Sequence, residues 1–264
     1  MRALWTAASG MKTQQLNIDT ISNNLANVNT TSYKKQKVEF KDLLYVTLRR
    51  NNLVEGEGSP VNLQVGHGVM ASSTSRSFMT GSLERTENTF DLAIDGEGFF
   101  AIEGPNGDIF YTRDGNLKLS VMDNEMKLVT ADGYTVLSDF DDEIIFEEGM
   151  QNINITENGL IVAEDQEGEL QEIATLKLVK FVNPEGLESI GRNLYKSTTA
   201  SGEKIAMEDE GRTSSILQGY LETSNVQVVD EMVRLITAQR AYEISSKAIQ
   251  TSDEMLSTAN NLKR

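Results

Sequence analysis

Cysteine is absent from this sequence of 264 residues, and histidine occurs once, at His67. The chain therefore has no disulfide framework, no cysteine-based zinc site and no thiol nucleophile. A lone histidine lacks the partners of a metal site or a catalytic triad, and we interpret His67 as a turn residue. No run of about 18 apolar residues occurs, so no membrane insertion is predicted. The first ten residues contain no continuous apolar stretch, and a cleaved secretory signal is not expected.

Basic residues are few relative to acidic ones: 24 Lys and Arg stand against 40 Asp and Glu, for a formal charge of −16. This charge repels nucleic acid and anionic membranes at long range, so neither is a predicted partner. The charge is also segregated along the chain. Residues 1–50 hold eight basic and three acidic side chains, whereas residues 139–172 hold twelve acidic and no basic ones. We expect this acidic stretch to lie on a solvent-exposed outer face of the protein.

Motifs for catalysis or cofactor binding are lacking. The GEG run at residues 96–98 is followed by a strand-like pattern, not by the helix that a phosphate loop requires. The acidic run at residues 139–143 resembles the start of a calcium loop, but Ile144 occupies the position that needs glycine. No nucleophile elbow or zinc-protease motif occurs, and nothing selects a carboxylate pair for glycoside hydrolysis. We predict a protein that is not an enzyme and has no catalytic, cofactor-binding or metal-binding residues.

Apolar residues near the N-terminus recur at alternating spacings of three and four, the pattern of a coiled-coil seam. With a polar interruption at Gln14, the seam consists of Leu4, Ala7, Met11, Ile18, Ile21, Leu25 and Val28. This periodicity predicts an N-terminal helix. We expect it to end in the polar run at residues 27–32, because short polar side chains compete with helical hydrogen bonds.

A second seam lies near the C-terminus, where apolar residues recur every seven positions with one addition. It consists of Val228, Met232, Leu235, Tyr242, Ile249 and Leu256. Ser224 and Gln227 have the spacing of a capping box. The pattern predicts a helix that starts near Asn225 and extends for roughly 55 Å at 1.5 Å per residue.

The C-terminal helix carries a second stripe, made of small residues that allow another helix to approach closely. The stripe consists of Ala238, Ala241, Ser245, Ala248 and Ser252. Two faces of this helix are thus suited to partners. The alternative is a helix buried in one globular core. If only one terminus showed the pattern, this alternative would be as well supported as an assembly helix.

Between the two helices, short alternating apolar runs are punctuated by turn dipeptides, the pattern of strands and hairpins. Hairpins are predicted at the DG of residues 95–96, the DG of residues 114–115 and the NG of residues 158–159. Residues 46–66 have too few apolar side chains to pack alone and are predicted to form an extended loop or linker.

The predicted fold class is α+β, with long N- and C-terminal helices forming a coiled-coil inner domain around an inserted, mainly β outer domain. The N-terminal helix and its following segment are predicted at residues 1–45 and the linker at residues 46–66. The β domain is predicted at residues 66–215 and the C-terminal helix at residues 216–264.

Several motif-like stretches occur in order along the whole chain. The N-terminal stretch is ISNNLANVNTTSYKK at residues 21–35, continuing to FKDLLY at residues 40–45. The later stretches are DLAIDGEGFF (91–100), YTRDG (111–115), GLESIGRNLY (186–195), QGYLETSNV (218–226), EMV (231–233) and AQRAYE (238–243). Together these stretches resemble the flagellar rod and hook proteins. The chain departs from the family at Ser32, where many members have glycine in a left-handed turn. Length, linker and ending are most similar to the distal-rod members.

The resemblance implies a structural subunit that is exported unfolded through the flagellar type III apparatus, without a cleaved signal, and then stacks helically into a hollow rod. Its expected partners are further copies of itself, the neighbouring proximal-rod and hook proteins and the export apparatus. Whether the rod meets surrounding bushing rings stays open. The terminal helices, with little to pack on in the free subunit, are expected to be largely disordered until assembly.

Phe40 and Leu44, four residues apart, resemble the short apolar motif by which early export substrates engage the export gate. A packing pair within a helix or a loop explains the same spacing equally well.

Other functions stay open on the sequence alone. A proximal-rod or hook-type axial subunit would carry the same motifs, and a non-flagellar exported filament or surface protein could use the same architecture. A cell-wall hydrolase with a glycan-binding β domain is the third class, and it predicts cleavage of peptidoglycan by the purified chain.

Overall fold

The fold was analysed in a computed structural model, which describes residues 2–49, 63–105, 107–122, 125–147, 149–165, 167–207 and 214–262. The described residues divide into two compact units. Unit 1 contains residues 1–26, 36–76 and 227–264, and unit 2 contains residues 27–35 and 77–226. The fold class is α+β, with a mostly β body and a helix near each terminus, as the sequence predicted.

Unit 1 contains the two long helices and a set of paired strands. Its elements are α1 (Arg2–Ala26), β1 (Gln36–Asp42), β2 (Tyr45–Arg49), β3 (Leu63–Gly66), β4 (Val69–Arg76) and α2 (Val228–Asn261). The 34 residues of α2 give it a length of about 51 Å at 1.5 Å per residue. This length agrees with the length predicted from the heptad pattern.

The strands of unit 1 form a two-stranded antiparallel arm. Strand β1 pairs with β4, with Asp42 opposite Val69, and β2 pairs with β3, with Tyr45 opposite Gly66. Residues 46–49 and 63–66, predicted as parts of a linker, are therefore strands. Apolar side chains alternate along both strands, and Val46, Leu63 and Val65 are exposed because no second layer covers them within the described residues. The central part of the predicted linker, residues 50–62, lies outside the described residues.

The predicted start of α2 is wrong by three residues. The helix begins at Val228, and Gln227 precedes it with an extended backbone and no side-chain capping bond. The Ser224 hydroxyl instead accepts a 3.3 Å hydrogen bond from the backbone N–H of Val226. The serine thus closes a local turn, which competes with a capping box for the same side chain.

Unit 2 is built from short antiparallel strands and a short 3-10 helix at Pro184–Gly186. The strands are β5 (Leu83–Arg85), β6 (Leu92–Asp95), β7 (Phe99–Glu103), β8 (Ile109–Thr112), β9 (Leu117–Met122), β10 (Glu125–Thr130), β11 (Thr135–Val136), β12 (Ile145–Phe146), β13 (Gln151–Ile155), β14 (Leu160–Glu164), β15 (Leu170–Thr175), β16 (Leu178–Phe181), β17 (Glu188–Gly191), β18 (Leu194–Lys196), β19 (Lys204–Ala206), β20 (Ser215–Gln218) and β21 (Tyr220–Glu222).

The largest sheet of unit 2 has the order β12-β10-β11-β7-β8-β18-β17. Strand β9 joins it through β10, and β16 joins through β7 and carries β19. Smaller ladders are β13-β14-β15, β20-β6 and β21-β5. The last strands of the unit thus pair with its first strands, β20 with β6 and β21 with β5.

Strand β7 lies at the centre of the core because its apolar run is buried on both faces. Phe100 and Ile102 point into one apolar cluster, and Phe99 and Ala101 point into another. Successive side chains of a strand alternate between faces, so only a continuous apolar run can supply both clusters. On one face, the Phe78 ring packs edge-on against Phe99 with ring centroids 5.3 Å apart.

One of the three predicted hairpins is confirmed. Strands β13 and β14 pair across the NG of residues 158–159. The other two hairpins are wrong, since β6 pairs with β20 and β8 pairs with β7 and β18. At Gly115 an added Cβ would lie 1.7 Å from the carbonyl oxygen of Leu92. Glycine at this position permits two chain segments to cross closely. In the sequence, a DG dipeptide is compatible with such a crossing as well as with a hairpin turn.

Candidate assembly surface and a buried ion network

Helix α1 packs against α2 within unit 1, and small residues line part of the contact. A Cβ added at Gly10 would lie 3.4 Å from the hydroxyl oxygen of Ser245. Ala238 is buried, and Ala241 and Ser245 are half-buried. The small-residue stripe predicted on α2 therefore includes positions that face α1 in the same chain.

The structure separates the residues of the predicted seams. On α1, Ile21 is buried and the others on the helix are half-buried: Leu4, Met11, Ile18 and Leu25. Val28 lies past the end of α1, in a turn of unit 2, and is half-buried. On α2, Leu235 and Ile249 are half-buried, whereas four other seam residues are exposed: Val228, Met232, Tyr242 and Leu256. Four of the six α2 seam residues are thus exposed in the single chain.

Further apolar side chains of α2 are exposed beside the seam. They are Val229, Val233, Ile236, Ile244 and Met255. Within the described part of the chain, α2 fully buries only Glu231 and Ala238. A concentration of exposed apolar side chains on one element is typical of interaction sites in soluble proteins. The geometry therefore makes α2 a candidate surface for a partner helix.

The predicted export-gate pair lies on the arm of unit 1 and not on a helix. Phe40 is in β1 opposite Ala71, and Leu44 lies between β1 and β2 with 86% of its surface exposed. Both side chains are accessible, since Phe40 is 40% exposed. Their spacing of four therefore reflects an exposed strand and its following turn.

Sequence reasoning did not identify an ion network in the interior of unit 2. The carboxylate of Glu222 lies between two cations, with 2.6 Å from Oε1 to Lys34 Nζ and 3.0 Å from Oε2 to Arg113 Nε. All three side chains are almost completely buried. We call Lys34, Arg113 and Glu222 the Glu222 network.

Backbone groups satisfy the rest of the Glu222 network. Lys34 Nζ donates a 2.8 Å hydrogen bond to the carbonyl of Met79, and the N–H of Gly81 donates a 2.8 Å bond to Glu222 Oε1. Arg113 donates to the carbonyls of Gly96 and Gly98 at 2.9 and 3.1 Å. Those glycines, which sequence reasoning rejected as a phosphate loop, thus present carbonyls to a guanidinium.

Burial sets the electrostatics of the network. Desolvation, followed by the charge of Arg113, lowers the pKa of Lys34 to about 8, while Glu222 acts in the opposite direction. A buried charge that loses its partner destabilises a protein strongly, by about 3–5 kcal/mol. The network therefore fixes the segment that follows α1 to the last strand of unit 2.

The polar segment after α1 reinforces this attachment. The N–H of Ser32 donates a 2.8 Å hydrogen bond to the carbonyl of Glu222. Thr31 Oγ1 donates to Asp114 Oδ2 at 3.1 Å, and Asn193 Nδ2 donates to the carbonyl of Thr31 at 2.9 Å. Five of the stretches that carry the family resemblance, at residues 21–35, 91–100, 111–115, 186–195 and 218–226, thus contribute to one junction in unit 2. The available signal in the sequence was that Lys34, Arg113 and Glu222 each lie within a stretch that carries the family resemblance.

No described helix is long and apolar enough to cross a membrane.

The acidic stretch at residues 139–172 is partly neutralised by lysines from outside it. Asp141 lies 2.8 Å from Lys177 Nζ and 3.8 Å from Lys204 Nζ. The hydrogen bond from Lys177 holds the pKa of the Asp141 carboxyl below its usual range.

Models of flagellar families match three regions of the chain. "Flagella basal body rod protein" matches residues 4–34, "Flagellar hook protein FlgE/F/G D1 domain" matches residues 93–163, and "Flagellar basal body rod FlgEFG protein C-terminal" matches residues 217–262. Each matched region contributes one member of the Glu222 network.

Relatives match over the full chain. The flagellar basal-body rod protein FlgG of Borreliella burgdorferi is 50% identical, covering 100% of this chain and 99% of that protein. In Bacillus subtilis, FlgG is 39% identical and the flagellar hook-basal body complex protein FlhP is 32% identical, with all of both chains covered in each case. Among solved structures, the crystal structure of the Helicobacter pylori flagellar hook protein FlgE2 is similar over 72% of this chain and 43% of that chain, at 18% identity and a TM-score of 0.26. The relationship predicted from the motifs is confirmed, and the chain belongs to the FlgG-type family of flagellar basal-body rod proteins.

Proposed function

We propose that the chain is a structural subunit of the flagellar distal rod, which assembles helically into the hollow shaft that transmits motor torque to the hook. The observation that carries the proposal is the exposed apolar surface of α2 in a member of the rod family. Full-length similarity to rod proteins named FlgG, higher than the similarity to FlhP, supports the rod and the distal position.

In the proposed assembly, the terminal helices of neighbouring subunits form a coiled-coil inner tube. Met232 and Tyr242 are 50% and 38% exposed in the single chain, and a neighbouring helix would cover them. Burial contributes about 25 cal/mol for each Å² of apolar surface removed from water. A row of such residues along a helix of about 51 Å supplies a long surface for this gain.

Unit 2 forms the outer part of the proposed rod. Twelve carboxylates within residues 139–172 would repel one another if they were packed around a narrow axis. Solvent on the outer side screens this repulsion. The acidic stretch is therefore placed outward, and the proposal fails on this point if Asp141 and Glu164 line the lumen.

The proposed partners are further copies of the chain, the proximal-rod and hook proteins at the two ends of its segment, and the type III export apparatus. Export without a cleaved signal is part of the same proposal. Phe40 and Leu44 would engage an export gate while the chain is unfolded, and neither side chain is buried in the folded chain.

The test is deletion of the gene, followed by electron cryomicroscopy of basal bodies from the complemented strain. Deletion should abolish motility, stop assembly before the hook and leave growth unchanged. The chain should then occupy the distal rod in the complemented basal bodies. Density in the proximal rod or hook would favour the alternative axial subunits, and flagella of normal structure without the gene would favour a non-flagellar filament.

A further inference from the structure

Asn24 and Glu231 form a buried polar contact where α1 ends and α2 begins. Asn24 Nδ2 lies 3.1 Å from Glu231 Oε2, and each residue is 1% exposed. Both residues belong to unit 1. Asn24 is in the last turn of α1, and Glu231 is in the first turn of α2.

The Asn24 side chain also holds the start of β1. Its Nδ2 donates a 2.8 Å hydrogen bond to the carbonyl of Gln36, and its Oδ1 accepts a 2.9 Å bond from the N–H of the same residue. One amide therefore satisfies both backbone groups of Gln36, as a neighbouring strand would. The contact joins three elements of unit 1 at one point.

The small-residue part of the helix contact specifies its alignment weakly. Gly10, Ala238 and Ser245 have small side chains that do not interlock, so a shift of one helix along the other meets few steric barriers there. A buried polar residue in an apolar helix contact has a different effect, since a shifted alignment leaves it without partners. A buried polar group without a hydrogen-bond partner is unfavourable, and a buried charged group is more so.

We propose that Asn24 and Glu231 set the register in which α1 and α2 pair, and so fix which apolar residues of α2 remain outward for neighbouring subunits. This inference rests on the proposed function for its consequence in the rod, but the register itself is a property of the single chain. Asn24 and Glu231 are positioning residues: they act by aligning the surface that assembles.

Because the chain contains no cysteine, disulfide trapping can read the register directly. Cysteines at Gly10 and Ser245 report the observed register, since a Cβ at Gly10 would lie 3.4 Å from the Ser245 hydroxyl oxygen. Cysteines at Gly10 and Ser252 report a shift of seven residues, about 10.5 Å along α2. Both pairs are introduced into the full chain, with the native contact and with Asn24→Leu and Glu231→Leu together.

With the native contact, the observed-register pair should form disulfide at least about tenfold more than the shifted pair, which corresponds to about 1.4 kcal/mol. In the double leucine variant, this ratio should fall toward one. An unchanged ratio would overturn the inference. Glu231→Gln, which keeps an acceptor for Asn24, should retain the native ratio, and a loss there would also count against a hydrogen-bonded register contact.

If the double leucine variant does not accumulate, Asn24→Ser shortens the side chain and makes the same comparison, with the same opposite outcomes. Incorporation into basal bodies is scored separately with the chain that carries no added cysteine, because a disulfide would hinder export of an unfolded chain. A chain that pairs in the native register but never enters a rod would contradict the proposed function and leave the register inference intact.

Discussion

The Ser32 hydroxyl donates a 2.8 Å hydrogen bond to the carbonyl of Arg113 from a backbone with φ of +53°. Left-handed backbone costs a residue other than glycine about 1–2 kcal/mol. The buried hydrogen bond offsets this cost, which is the physical account of a serine where many family members have glycine.

Substitutions at Ser32 should separate the two effects. Ser32→Ala loses the hydrogen bond and keeps the backbone strain, so the free energy of unfolding should fall by about 1–3 kcal/mol. Ser32→Gly also loses the hydrogen bond but removes the backbone strain, so its free energy of unfolding should fall by less than that of Ser32→Ala. The measurement is urea unfolding followed by circular dichroism. Glu87, exposed and with φ of +63°, is the matched control: Glu87→Gly should be neutral or stabilising. An alanine variant as stable as the glycine variant would contradict this account.

Breaking the Glu222 network should cost far more than breaking a surface pair. Glu222→Gln leaves Lys34 and Arg113 buried without a balancing charge, and the free energy of unfolding should fall by about 3–5 kcal/mol. Glu143, which pairs with Lys127 at the surface, provides the comparison, and Glu143→Gln should cost at most about 1 kcal/mol. Equal costs for the two substitutions would show that the network does not hold the segment after α1.

The lowered pKa of Lys34 predicts how stability changes at alkaline pH. Between about pH 8 and 10.5, the unfolded chain binds a proton at Lys34 that the folded chain has released. The unfolding free energy should therefore rise with pH over this window. Burial, followed by the charge of Asp141, raises the pKa of Tyr111, and this opposes the rise above about pH 10. Lys34→Met should remove the rise between pH 8 and 10. A difference between the two proteins that is constant with pH would contradict the assignment.

Sequence periodicity predicted both helices because it reports burial along an element, as the α1 seam through Ile21 shows. It predicted strands at β6 and β8 but not their partners, because pairing depends on which segments cross. Gly115 marks such a crossing. The Glu222 network was missed for the same reason: Lys34 and Glu222 are 188 positions apart, and only the fold brings them together.

The single tryptophan gives a direct signal for assembly. Trp5 lies near the start of α1 and is 76% exposed in the chain. If the terminal helices form an inner tube, neighbouring subunits should cover this ring, and its fluorescence emission should shift to the blue in isolated rods. Trp5→Phe rods provide the background from other chains. Emission at the same wavelength in the free chain and in the rod would contradict coverage of this part of α1.

The exposed seam of α2 distinguishes an assembly protein from a self-contained one. Tyr242 is 38% exposed in the single chain, so Tyr242→Asp should lower the free energy of unfolding by only about 1 kcal/mol. In the rod the same carboxylate would be removed from water, which costs several kcal/mol, and motility and rod formation should be lost. Gln250 is exposed on the same helix, and Gln250→Glu should keep both stability and motility.

Ile249→Asp should differ from Tyr242→Asp. Ile249 is already half-buried in the single chain, so its substitution should lower the free energy of unfolding by more. A motile Tyr242→Asp strain with normal rods would show that this face of α2 has no partner, and the coiled-coil mechanism of assembly would then be wrong even though the chain belongs to the rod family.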